Sequence, residues 1–153
     1  MKKSCMSLVV ACTLFLVACG TQSPEQQTEI INQAVMQILD NKGNAKVQQK
    51  AFDELMELAQ KGNPDAMYQV GQLHIEPSPM QGVIQTSPQE AEKWLLKSAE
   101  LDHRPAQIAL GNAYKLGAYR FEKSHEKSCH WLKKAFHGDD SIIAKVNLEP
   151  CNK

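Results

Sequence analysis

The chain repeats itself, and no other property narrows its possible folds so far. In EAEKWLLKSA, residues Ala91, Trp94, Leu95, Ser98 and Ala99 stand at offsets 0, 3, 4, 7 and 8, which is one face of an α-helix. Thirty-seven residues later, Ser128, Trp131, Leu132, Ala135 and Phe136 hold the same offsets, with Lys134 matching Lys97. Forty residues earlier, Ala51, Leu55, Leu58 and Ala59 form a degenerate copy in which Glu54 stands where tryptophan would. Slimmer helices run between these bulky ones: Ala66, Val70, Gly71, Leu73 and His74 recur forty residues on as Ala106, Leu110, Gly111, Ala113 and Tyr114. The unit is therefore a thin helix followed by a thick one. Units of this kind bury apolar surface only against their neighbours, so the chain is predicted to be a stack of helical hairpins.

The same spacing extends to both ends. Ile30, Ile31, Ala34, Val35, Ile38 and Leu39 predict an amphipathic first helix, with DNKGN as the turn that follows. Near the C-terminus, Ile142, Ile143, Val146 and Leu148 predict a short closing helix that Pro150 stops. The fold class is all-α, a short α/α superhelical solenoid of about seven antiparallel helices over residues 28–149, with 150–153 as a tail. Gly111 inside a helix costs about 1 kcal/mol relative to alanine. That cost is offset if the thin helix lets its neighbours approach until Trp94 and Trp131 cover its backbone.

Two strings, GNPDAMYQVGQLH with SPQEAEKWLLKSA and AQIALGNAYKLGAY with SHEKSCHWLKKAF, carry a family likeness. Their strongest elements are Ala-x3-Leu-Gly-x2-Tyr at Ala106 to Tyr114 and the Ala91, Trp94 spacing. They resemble Sel1-like repeats, relatives of the tetratricopeptide repeats, over roughly residues 51–148. The repeat positions are Ala66, Gly71, Ala91, Trp94, Ala99, Ala106, Leu110, Gly111, Tyr114 and Trp131. The sequence departs from the pattern at His74 (for tyrosine), at Ser128 (for alanine), and in a long loop holding Pro77, Pro79 and Pro88.

The N-terminus speaks to location. Lys2 and Lys3 precede an apolar run, Leu8 to Ala18, too short for a bilayer span of about 20 residues but long enough for a signal-peptide core. The run ends in LVACG, which resembles the lipobox of bacterial lipoproteins; the other reading is an ordinary secretory signal. The resemblance implies a signal peptide at 1–18, a lipidated Cys19 and a flexible tether at 19–27. Gly20 in place of Asp after that cysteine implies sorting to the inner leaflet of the outer membrane, on the periplasmic side.

Loss of the signal leaves fifteen basic against seventeen acidic residues, too balanced for a nucleic-acid binder. Of the five cysteines only Cys129 and Cys151 belong to the mature domain. In an oxidising compartment they read as a disulfide, with two free thiols or a partner-linked thiol as the alternatives.

Chemistry is weakly marked. His125 with Cys129, and His130 with His137, share helix faces, yet no compact four-ligand set forms, so neither metal nor cofactor is expected. Nucleophile elbows, phosphate loops and paired catalytic carboxylates are missing from the sequence, and no small-molecule substrate or enzyme activity is expected. A stack of hairpins offers a groove suited to proteins. On the side of the thin helices opposite the core, Gln69, Gln72, Ala109, Asn112 and Lys115 are the candidate contacts. Tyr119 and Arg120, flanking residues in YKLGAYRF, add side-chain types enriched at interface hot spots, whereas Phe121 is expected to turn inward. Met80, Val83 and Ile84 form either a partner patch or a cover over the first repeat. The expected function is a protein-binding lipoprotein, monomeric when free. By analogy to small Sel1-like lipoproteins, it would be an immunity protein against a type VI-delivered phospholipase, or else an envelope adaptor.

Overall fold

Each helix of the stack begins on a side chain that caps it. The structure is a computed structural model, and it describes residues 22–152. The signal segment 1–18 and Cys19 lie outside the described residues. Seven helices follow in order among the described residues: α1 (Pro24–Asp40), α2 (Ala45–Gln60), α3 (Pro64–Leu73), α4 (Pro88–Glu100), α5 (Arg104–Leu116), α6 (His125–Ala135) and α7 (Ile142–Leu148). Their N-caps are Ser23, Asn44, Asn63, Ser87, His103, Ser124 and Ser141, each accepting a backbone N–H of the first turn. At Ser23 the reciprocal bond is also made, because the Ser23 N–H donates to Gln26 Oε1 at 2.9 Å. With Pro24 at the first helical position, this capping box starts α1 inside the stretch 19–27 that the sequence suggests as tether.

The thin helices α3, α5 and α7 share one register. The caps Asn63, His103 and Ser141 bind the N–H groups of Ala66, Ala106 and Ala144, and all three alanines are fully buried. The starts of the thin helices are also tied to neighbouring parts of the stack. Asn63 Nδ2 donates to Gln27 Oε1 at 2.8 Å, His103 Nε2 meets Asp65 Oδ1 at 2.9 Å, and Arg104 donates to Asp139. His103 Nδ1 accepts the Ala106 N–H, which assigns its proton to Nε2, where Asp65 receives it.

The two helix glycines sit where thin and thick helices touch, but the residue covering them is leucine, not tryptophan. A Cβ at Gly111 would lie 2.6 Å from Leu132 Cγ, and one at Gly71 would lie 2.9 Å from Leu95 Cγ. Each leucine follows a tryptophan by one residue, about 100° around the helix, so the tryptophan points elsewhere. Trp94 of α4 packs into the core formed by α1, α2 and α3, and Trp131 of α6 into the core formed by α4 and α5. The tryptophans therefore seal each unit against the one before it.

Buried polar groups complete the joints. Ser98 Oγ donates to the Pro64 carbonyl at 2.7 Å, Ser128 Oγ to the Gly111 carbonyl at 2.8 Å, and Gln107 Nε2 to the Ala99 carbonyl at 3.1 Å. The serine at 128 thus binds the backbone that its glycine partner exposes. Gln48 Nε2 donates to the carbonyls of Ile38 and Pro79, pinning the long loop to α1. In that loop Met80 is fully buried and Val83 and Ile84 pack on the first core, so the segment closes over the first repeat. Cys129 and Cys151 are joined, and the disulfide returns the 3-10 turn Glu149–Asn152 to α6. Closing a loop of this size contributes roughly 3 kcal/mol in the chain-entropy description.

His74 and Tyr114 occupy equivalent positions with different solutions. Tyr114 is buried and its hydroxyl donates to Glu92 Oε1. Forty residues earlier the place of Glu92 is taken by Phe52, whose ring meets His74 edge-on at 6.1 Å. His74 Nδ1 is left without a partner. Burial pushes the His74 pKa down; Glu90 and the Gln85 backbone oppose that effect, and Lys93 adds to it.

At α7 the expected apolar face is turned outward. Ala144 is buried and Leu148 half-buried, whereas Ile142, Ile143 and Val146 are 79%, 67% and 63% exposed. With Ala144 in the register of Ala66 and Ala106, positions 144 and 148 take the core side. The other three face solvent.

Two outcomes test this packing. Gly111→Ala should destabilise the protein by about 1–3 kcal/mol despite its gain in helix propensity. Combined with Leu132→Ala in a urea-denaturation cycle, much of the Gly111→Ala penalty should disappear, because the two residues share one contact. His74 binds a proton less readily folded than unfolded. Its neutral form therefore supports stability above about pH 6.5, and that support is lost as pH falls below it. His74→Phe should flatten the stability profile between about pH 7 and 5, read by thermal melts at each pH.

Candidate protein-binding surface

Small residues turned inward leave the opposite side of each thin helix to meet solvent. Gln69 and Gln72 lie three apart on α3; Ala109, Asn112 and Lys115 lie at the same spacing on α5, and all five are half-buried, but Ala109, expected to face away from the core, packs on the core of α4 and α5. Gln48 and Gln107, by contrast, are buried with their amides bound to backbone carbonyls. Gln69, Gln72 and Asn112 are half-buried amides, a side-chain type that can bind an extended main chain.

Tyr68, which the spacing argument passed over, edges this surface while packing half-buried on the core of α4 and α5. Its ring lies 5.1 Å from that of His103, at a tilt of 51°. Burial first, and then the nearby Tyr119 phenol, push the Tyr68 hydroxyl above its ordinary pKa. The signal available in the sequence was the forty-residue shift, which pairs Tyr68 with Ile108: both residues are apolar and both stand one place before a candidate contact.

The turn after α5 is shaped by three left-handed residues. Gly117 (φ 65°) ends the helix, and Tyr119 (φ 58°) and Arg120 (φ 65°) also adopt positive φ. For side-chain-bearing residues this conformation costs of order 1–3 kcal/mol each, and such strain persists only where the surroundings enforce it. Phe121 does so from inside the protein. It is buried as expected, its ring meets Tyr114 edge-on at 5.7 Å, and its N–H donates to Ala118. The Ser124 N–H donates to the Tyr114 carbonyl and closes the segment. Tyr114 is held in turn by Glu92, and its pKa is driven far up by burial and then by that carboxylate. The outcome is a braced turn that presents Tyr119, 50% exposed, beside an exposed Arg120.

The remaining chemistry is sparse. Among the described residues no three His, Cys, Asp or Glu side chains converge on one point. Cys129 is bonded to Cys151, and His125 Nε2 stands 3.7 Å from its sulfur, while His130 and His137 are exposed. A cleft of about 740 Å³ opens between the α1–α2 turn and the long loop. Its only charged wall residue is Lys42, and the Ser78 hydroxyl there is bound to the Leu73 carbonyl. Among the described residues no helix is long and apolar enough to cross a membrane.

Comparison with known proteins agrees with this architecture. The Sel1 repeat model matches residues 64–103 and 104–140, which begin at the first residue of α3 and the first residue of α5. A Sel1 repeat protein from Oxalobacter formigenes shares the fold at a TM-score of 0.57 and 20% identity, over 88% of this chain and 95% of that one. A protective antigen present in uropathogenic Escherichia coli strains, described as displaying an SLR fold, aligns at a TM-score of 0.59 and 24% identity. That alignment takes in 80% of this chain and 25% of the antigen, so the chain spans about a quarter of that longer protein. No curated protein matches the sequence. Sel1 repeat proteins generally mediate protein–protein interaction and are typically non-enzymatic scaffolds. With two units matched over half its length, the chain belongs to the Sel1 repeat family.

Proposed function

We propose that this protein is a lipid-anchored binding module of the bacterial envelope that captures another protein on the α3–α5 face and the turn beside it. The observation that carries the reading is the left-handed Tyr119–Arg120 pair. A solvated loop has no use for two strained side-chain-bearing residues where glycines would be relaxed, whereas a binding site gains from rings and guanidinium groups held in place before contact. Tyrosine and arginine are also residues on which interface energy concentrates.

Location rests on the lipobox-like LVACG. With Cys19 acylated at the inner leaflet of the outer membrane, only residues 20–22 would separate the anchor from the Ser23 cap. At no more than about 3.5 Å per residue, α1 would begin within roughly 15 Å of the lipid. A module held so close suits a partner that works at the membrane surface. The specific role that fits is immunity, with the face and turn occluding a phospholipase effector delivered by type VI secretion; the other role is that of an adaptor for an envelope machine.

Tyr119→Gly should leave the melting temperature unchanged or higher, since glycine relaxes the left-handed backbone. It should also remove the partner from pull-downs of envelope extract. A large drop in stability would make the ring structural and sink the reading. In competition assays, a deletion strain killed by its parent and rescued by the intact gene would support immunity. Its survival, together with retained partner capture, would leave the adaptor role.

A further inference from the structure

The chain carries as many acids as bases, but they are segregated along it. From Arg104 to Lys134, across α5, the turn and α6, stand seven basic residues and two acids, Glu122 and Glu126. The rest of residues 22–152 carries seven basic residues and fifteen acidic ones. Two cations of the α5–α6 hairpin are used within the fold, since Arg104 binds Asp139 and Lys134 binds Asp102. None of the other five enters an ion pair among the described residues. Four of these, Lys115, Arg120, Lys123 and Lys127, lie at or beside the Tyr119 turn, and the fold draws them together. Lys115 stands in the last turn of α5. A Cβ on Gly117 would lie 3.4 Å from the Cβ of Lys123, so the segment entering α6 runs back along the end of α5. Lys127 Nζ stands 5.1 Å from the centre of the Tyr114 ring. Arg120, Lys123 and Lys127 are exposed, as are the apolar side chain of Leu116 and the ring of Tyr119 among them. Like charges gathered within a Debye length of about 8–10 Å repel one another, and an opposite charge brought to them relieves that repulsion.

We propose that this surface selects its partner by charge: the protein segment that docks on the Tyr119 turn is acidic, with carboxylates for Lys115, Arg120, Lys123 and Lys127 and an apolar side chain for Leu116 and Tyr119. This rests on the turn being the capture site proposed above. An anionic membrane is the poorer occupant. Glu122 and Glu126 stand among the cations, and the acid excess over the rest of the domain opposes approach to a uniformly negative surface. A peptide can set its carboxylates one at a time beside the cations and away from those two acids.

The probe is a short fluorescein-labelled peptide of glutamates interspersed with leucine and phenylalanine, titrated with the disulfide-bonded protein and read by anisotropy. The expected result is saturable binding that weakens as salt is raised and that is lost when glutamine replaces glutamate in the peptide. Lys115→Gln, Lys123→Gln and Lys127→Gln together should weaken it about tenfold or more, whereas Lys42→Gln, Lys46→Gln and Lys50→Gln together should change it by less than about twofold. Thermal melts check that both sets fold; the salt and glutamine-peptide measurements use the unaltered protein and decide the matter without them. Binding that the Lys115 set weakens but Tyr119→Gly spares would uphold the acidic site while sinking the part given to the Tyr119 ring in the proposed function. The charge proposal is overturned by any of four results: no saturable binding, equal binding of the glutamine peptide, equal loss in the Lys42 set, or a protein that ignores the peptide but binds phosphatidylglycerol vesicles through the Lys115 set.

Discussion

The structure depends on how closely a thin helix can lie against the thick helix that follows it. At Gly111 and Gly71 there is no room for a methyl group, because the γ-carbons of Leu132 and Leu95 fill the space. That approach brings Ser128 within hydrogen-bond distance of the Gly111 carbonyl, and the same α3–α4 pairing brings Ser98 to Pro64. The helix-propensity cost of glycine, about 1 kcal/mol, is smaller than the burial of a leucine side chain, about 1.5–3 kcal/mol, so the contact favours the folded stack. The tryptophans perform a different task one residue earlier, reaching back into the preceding core.

This inward use of small residues leaves the other side of the thin helices as the proposed binding face. Gln69, Gln72, Asn112 and Lys115 lie half-buried on that side, whereas Tyr68 and Ala109 also pack on the core of α4 and α5. The turn after α5 joins the two roles: Phe121 and Tyr114 brace it from within, while Tyr119 and Arg120 face out. Packing and the proposed recognition thus fall to neighbouring residues of the same backbone.

Much of this was legible in the sequence because repetition averages out local ambiguity. The forty-residue shift placed Ala66 and Ala106, and Gly71 and Gly111, in their observed roles, and Phe121 turns inward as expected. The cover on the glycines was misassigned to tryptophan because helical offsets locate a face only to within a residue, and Leu132 and Trp131 are adjacent. Reading TQSPEQQT by polarity hid the start of α1, although Ser23, Pro24 and Gln26 form a recognisable cap. The outward turn of Ile142 and Val146 depended on a cap register that apolar spacing alone does not report. The left-handed turn at Tyr119 had no sequence signal at all, since only glycine and asparagine advertise positive φ.

The claim that most needs direct evidence is that recognition runs through the α3–α5 face and its turn rather than the outer surface of the thick helices. Photo-crosslinking in the cells that naturally produce the protein would decide it, with a benzoylphenylalanine placed at Asn112 or Tyr119 and, for comparison, at Lys93 or Lys133, which are exposed on α4 and α6. The account predicts one discrete crosslinked partner from the first two positions and none from the second two. A partner captured from Lys93 or Lys133, with nothing from Asn112 or Tyr119, would contradict it.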